Sequence, residues 1–174
     1  MSITTFDILR GSHQAESSLS TLPQDMIWHI LFFHYSEMSV STCIENGWVR
    51  LLEFKLKKGE INLRDRSMFE EAAFENQFKV IKWLMENGAE YSPIAMDFAV
   101  QNGNMEIIEY LTSKNKTCSS AAIIYAIIRN NVELVKFLLA NHKSAFFLSS
   151  SQFALITAEK NKNPAICALI KENM

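Results

Sequence analysis

Cysteine, proline and glycine are all scarce in this chain of 174 residues, at three, three and five. The cysteines (Cys43, Cys118 and Cys167) are odd in number, far apart and without a CxxC pair. That fits free thiols in a reducing compartment better than a disulfide framework. The few glycines form neither GxxxxGK[ST] nor GxGxxG, so no phosphate-cradling loop is written here. No apolar run approaches the ~18 residues a bilayer-spanning helix needs. The opening "MSITTFDILRGSHQ" lacks the basic start and long apolar core of a signal peptide. Charge of one sign is lacking too: 17 basic against 19 acidic residues leaves a net charge of -2. A basic footprint for nucleic acid or an anionic membrane is therefore missing, and the expected compartment is cytoplasmic or nuclear.

Constellations for chemistry are equally thin. His13, His29, His34 and His142 are scattered, with no cysteine or carboxylate at ligand spacing. Glu70, Glu71 and Asp97 read as exposed helix positions rather than an acid and base pair. No catalytic residue, metal site, cofactor or small-molecule substrate is expected.

What the chain does contain is a phrase written several times. "ENGWVRLLEFKLKKGE" from Glu45 returns as "FENQFKVIKWLMENGAE" at Phe74, "QNGNMEIIEYLTSKNK" at Gln101 and "RNNVELVKFLLANHK" at Arg129. Alignment on a small residue in each first helix gives the anchors Cys43, Ala72, Ala99, Ala126 and Ala158. Three residues before them stand Val40, Phe69, Met96, Ile123 and Leu155, all apolar. Seven before stand Ser36, Asp65, Ser92, Ser119 and Ser151, each a preferred helix N-cap, with Pro93 at a first helical position. Downstream, positions six, eight and nine are apolar in almost every unit. Position eleven is Phe54, Trp83, Tyr110, Phe137 or Leu169, all read as core. Sixteen residues on come Gly59, Gly88, Asn115, His142 and Met174, where each second helix should stop.

Each unit is thus two short antiparallel helices, and neither can bury its apolar stripe alone, so neighbours must stack. The expected fold is an all-α solenoid of about five such hairpins, with units starting near residues 36, 65, 92, 119 and 151. Ahead of them, residues 1–20 are rich in Ser, Thr and Gln and read as a flexible tail. Residues 21–35 read as a helix capping the first unit.

The phrases "AAFENQFKVIKWLMENGAE" and "AVQNGNMEIIEYL" resemble the helix-turn-helix of ankyrin repeats, over about Ser36 to Met174. Two departures stand out. The threonine-proline-leucine-histidine signature is missing, and successive anchors lie 29, 27, 27 and 32 residues apart against a family period of about 33. The shorter connectors leave too few residues for full β-hairpin fingers, so binding by fingers is not expected. The resemblance implies a non-catalytic module that binds another protein, by capture and masking or by recruitment.

"LPQDMIWHILFFHYS", from Leu22, resembles the opening of an F-box, and Cys43 and Trp48 echo a later cysteine and tryptophan of that motif. An F-box docks on the Skp adaptor of cullin ubiquitin ligases. By that resemblance Leu22, Pro23, Ile27, Ile30 and Leu31 would face the adaptor. The same residues suit a capping helix equally well, since the first unit needs cover and Trp48 stands where other units are polar.

In an ankyrin stack the first helices line the concave side, and residues two before and two after the anchor look outward. Here these are Ser41 and Glu45, Glu70 and Phe74, Asp97 and Gln101, Ile124 and Ile128, Ile156 and Lys160. Phe74, Gln101, Ile124, Ile128 and Ile156 are the candidate partner-binding residues. Phe146 and Phe147 are read as loop anchors or further contacts.

Overall fold

The computed structural model describes residues 38–142 and 151–174. The tail, the segment 21–35, Ser36, Phe146 and Phe147 lie outside them. Every element among the described residues is an α-helix, as the sequence period predicts. The chain divides into two compact units, Met1–Glu90 and Tyr91–Met174.

The first unit holds two hairpins: α1 (Val40–Glu45) with α2 (Val49–Lys57), and α3 (Ser67–Phe74) with α4 (Phe78–Glu86). Within it α1 packs on α3, and α2 on α4. The second unit holds three: α5 (Pro93–Asn102) with α6 (Met105–Ser113), α7 (Ala121–Ile128) with α8 (Val132–Asn141), and α9 (Ser151–Lys160) with α10 (Pro164–Glu172). There α7 lies between α5 and α9, and α8 packs on α10.

All five anchors, Cys43, Ala72, Ala99, Ala126 and Ala158, are fully buried at 0% exposure. A small side chain lets the first helices approach closely, and the stripes of the second helices close over them. Leu51 and Leu52, Val80 and Ile81, Ile107 and Ile108, and Leu134 and Val135 are likewise fully buried. Of the position-eleven residues, Phe54 and Trp83 are buried, while Tyr110, Phe137 and Leu169 are only half-buried. These last three lie at the edge of the outer helices, where Lys114 hangs its ammonium 5.6 Å over the Tyr110 ring.

The turn inside each hairpin is built the same way. Four residues after the anchor, Gly47, Asn76, Gly103, Asn130 and Lys162 all have φ between 55° and 73°. In the first four units the next N–H reaches back to the anchor's own carbonyl: Trp48 to Cys43, Gln77 to Ala72, Asn104 to Ala99, and Asn131 to Ala126, at 2.8–3.2 Å. A left-handed residue with this backward bond is the Schellman stop, which satisfies carbonyls a helix end leaves orphaned. Gly59, Gly88 and Asn115 end the second helices left-handed as expected. His142 does not: its φ is -128°, and its N–H stays in the helical pattern, donating to the carbonyl of Leu138 at 2.8 Å. Asn173 rather than Met174 caps the last helix.

The starts of α3, α7 and α9 differ from expectation by about one residue. Asp65 and Ser119 stand just outside the N-caps Arg66 and Ser120. From there their oxygens still accept backbone N–H groups, Ser67 to Asp65 at 3.0 Å and Ala121 to Ser119 at 3.0 Å. Short polar side chains close such turns before the helix proper begins. Ser39 caps α1 through the N–H of Thr42, and Ser151 is the first residue of α9 rather than its cap. Ser92 is the cap expected of it, with Pro93 following.

Lys162 is the exception among the turn residues, because a lysine in left-handed backbone carries a steric cost that glycine and asparagine largely avoid. Replacing Lys162 with Asn should raise the thermal midpoint, by the equivalent of about 1 kcal/mol. An unchanged or lower midpoint by calorimetry would contradict this reading of the turn.

Candidate functional site

Two sets of polar bonds join neighbouring hairpins and set which surface is left open. On the turn side, within each compact unit, each later hairpin donates to the C-terminal end of the first helix before it. Gln77 donates to the carbonyl of Glu45, Arg129 to that of Gln101 at 2.8 Å, and Asn161 to that of Ile127 at 2.6 Å. Asn163 donates to the side chain of Asn130 at 2.7 Å. Gly103 fits under Arg129 because it has no side chain; a Cβ there would come within 2.6 Å of the guanidinium. The second helices of the second unit start on asparagines not foreseen as caps. Asn104, Asn131 and Asn163 each accept from the N–H groups of the first turn.

On the opposite side Asp97 ties α5 to the start of α7. It was expected to look outward, yet it is 4% exposed. Ser119 donates its N–H to Asp97 at 2.9 Å and its hydroxyl to the other carboxylate oxygen. With both oxygens partnered the side chain can leave water, which an unpartnered carboxylate could not do cheaply. Burial raises its pKa, with the two Ser119 bonds opposing. Tyr91 fastens the same edge by donating to the carbonyl of Thr117 at 2.9 Å.

Other ionisable groups inside the molecule are also committed to structure. Burial pushes the Cys43 thiol up to about 11 and the Cys118 thiol up to about 12, so both stay protonated and poorly nucleophilic near neutral pH. His142 is buried, its pKa lowered by burial, and Nε2 lies 2.9 Å from the Thr112 hydroxyl. Lys55 is buried beside Glu60 at 2.8 Å.

What remains outward is a face of the first helices. In the first unit, Ser41 and Glu45 are exposed and Glu70 is half-buried, and Ser41 donates to Glu71. Phe74 stands among these at 54% exposure. In the second unit Gln101 is exposed and Ile124 half-buried, while Ile128 and Ile156 are 59% and 62% exposed. Two further residues escaped the sequence reading: Ile94 at 45% and Phe153 at 60%. Both lie five residues before their anchors. At 3.6 residues per turn that position falls within about 60° of positions two before and two after. A helical-wheel count would have found them. Apart from Met174, every large apolar side chain exposed among the described residues of the second unit belongs to this one face.

A family model for ankyrin repeats in three copies matches residues 96–174, and a second ankyrin-repeat model matches residues 69–112. The chain carries ankyrin repeats. No curated protein and no solved structure matches it. Ankyrin repeats are protein–protein interaction modules, and that is the class of this chain. The exposed apolar residues fall on the first-helix surface of the repeats, and the short connectors 87–92 and 114–120 contain no strand. Leu22, Pro23, Ile27, Ile30 and Leu31 lie outside both the matched and the described residues. Among the described residues no helix is long and apolar enough to cross a membrane.

Because Asp97 titrates higher folded than unfolded, folding takes up a proton between the ordinary aspartate value and the raised one. Its contribution to stability is full below about pH 3.9 and is lost as pH rises through the folded value. Asp97→Asn should abolish that part of the pH dependence, so the stability of wild type relative to the variant falls as pH rises. Parallel urea-unfolding curves at all pH values would refute it.

Proposed function

We propose that the protein acts by binding rather than catalysis, capturing a partner protein on the first-helix face of its repeats. The observation that carries this is the concentration of Ile94, Ile128, Phe153 and Ile156 on one surface. A cluster of exposed apolar side chains of this kind is costly to keep in water and commonly marks an interaction site. Phe74, exposed in the first unit, is a separate candidate there. Gln101, exposed, and Ile124, half-buried, complete the set.

Ile128→Asp with Ile156→Asp should leave the melting temperature within about 1 °C, since both side chains are exposed and surface changes shift stability little. Proximity labelling in cells should lose the proteins enriched by the wild type. Unchanged labelling would remove the face from consideration.

A second reading adds recruitment. The segment "LPQDMIWHIL" has the leucine-proline start and isoleucine spacing of an F-box, which favours a Skp-type adaptor as a second partner. The protein would then hold a target on its repeats and present it to a cullin ubiquitin ligase. Purified Skp adaptor should bind the wild type and not the Leu22→Ala/Pro23→Ala or Ile30→Ala/Leu31→Ala variants. If the wild type fails to bind, or all bind alike, the protein stands as a capture module that masks its partner.

A further inference from the structure

We propose that the partner enters the second unit as an amphipathic α-helix, lying across α5, α7 and α9 with an acidic residue meeting Lys160. This rests on the binding face argued above and specifies what that face takes.

The first argument is about backbone. A helix surface has its own N–H and C=O groups bonded internally, so it offers no edge for an extended peptide to pair with. The carbonyls that do protrude at the ends of the first helices are taken: Arg129 occupies that of Gln101 and Asn161 that of Ile127. An extended peptide over Ile128 and Ile156 would leave its polar groups dry and unpaired, which is costly. A helix arrives with its backbone bonds made, and docks through side chains at three- and four-residue spacing.

The second argument is size. Packed helix axes lie about 8–10 Å apart, so three first helices present roughly 20 Å. That length is about 13 residues of α-helix, enough for an apolar stripe to meet Ile94, Ile128, Phe153 and Ile156.

The third argument is charge. The nine side chains five before, two before and two after the anchors of this unit include one buried carboxylate, Asp97, already held by Ser119. The single exposed charge among them is Lys160, which forms no ion pair with any described residue. A second copy pairing through this patch would offer Lys160 no exposed carboxylate, because the only acid of the patch is the buried Asp97, so the complement is a foreign helix bearing Glu or Asp.

Fluorescence anisotropy of the full chain with three labelled peptides of about 16 residues tests the idea. One carries a Leu/Ile stripe at i, i+3, i+4 and i+7 flanked by Glu, one has Lys in place of Glu, and one is the Glu peptide broken by central prolines. The Glu peptide should bind at least tenfold more tightly than the others, lose that affinity in Ile128→Asp/Ile156→Asp, and yield its advantage to the Lys peptide in Lys160→Glu. Equal affinity for the proline-broken peptide overturns the helical occupant while leaving the face intact. Binding untouched by Ile128→Asp/Ile156→Asp overturns the face itself. No binding by any peptide, or a dimer in sedimentation that Ile156→Asp dissolves, also overturns the proposal.

Discussion

Close approach of the first helices is the constraint from which the rest of the molecule follows. Five side chains no larger than cysteine, each fully buried, let neighbouring helices come together without prising the second helices off. Dispersion and burial act only at contact distance, so a larger anchor would forfeit packing on both sides at once. The anchor has a second task in four of the units, where its carbonyl receives the turn's returning N–H. One position thereby fixes both the spacing of hairpins and the folding-back of each hairpin on itself.

Apolar packing alone is tolerant of sliding, and directional bonds remove that freedom. Arg129, Asn161 and Gln77 reach back to carbonyls at first-helix ends, and Ser119 reaches back to Asp97. The carbonyl of Ile127 and the carboxylate of Asp97 are groups that burial would otherwise penalise. The same bonds decide what the surface can do. With its protruding carbonyls spoken for and its buried carboxylate satisfied, the first-helix face of the second unit presents hydrocarbon, a glutamine and a lysine. Binding chemistry is what such a surface can perform.

The hairpins, their anchors and their stripes were legible in the sequence because sterics and the 3.6-residue period act locally. The turn glycines and asparagines were legible for the same reason. Burial of Asp97 was not, since it depends on Ser119, 22 residues away, supplying two donors. The N-cap shifts at Asp65 and Ser119 turn on which of two adjacent residues begins the first turn, and both patterns look alike in sequence. Ile94 and Phe153 were readable but lay outside the two outward positions considered. Asn104, Asn131 and Asn163 carried a signal as well, an asparagine ahead of each second helix of the second unit. For the candidate face, sequence placed the candidates on the first helices and the structure added which side chains stand clear of their neighbours. The roles of those side chains rest on the binding tests.

The uneven spacing of the units now has a physical home. From anchor to second helix the count never varies, because the left-handed residue and the backward bond permit one length only. The variation falls instead after the second helices, in the connectors 58–66, 87–92 and 114–120 and in where each first helix begins. That edge can gain or shed residues without disturbing the geometry of the turns, so grafted tags or added loops belong there rather than between paired helices.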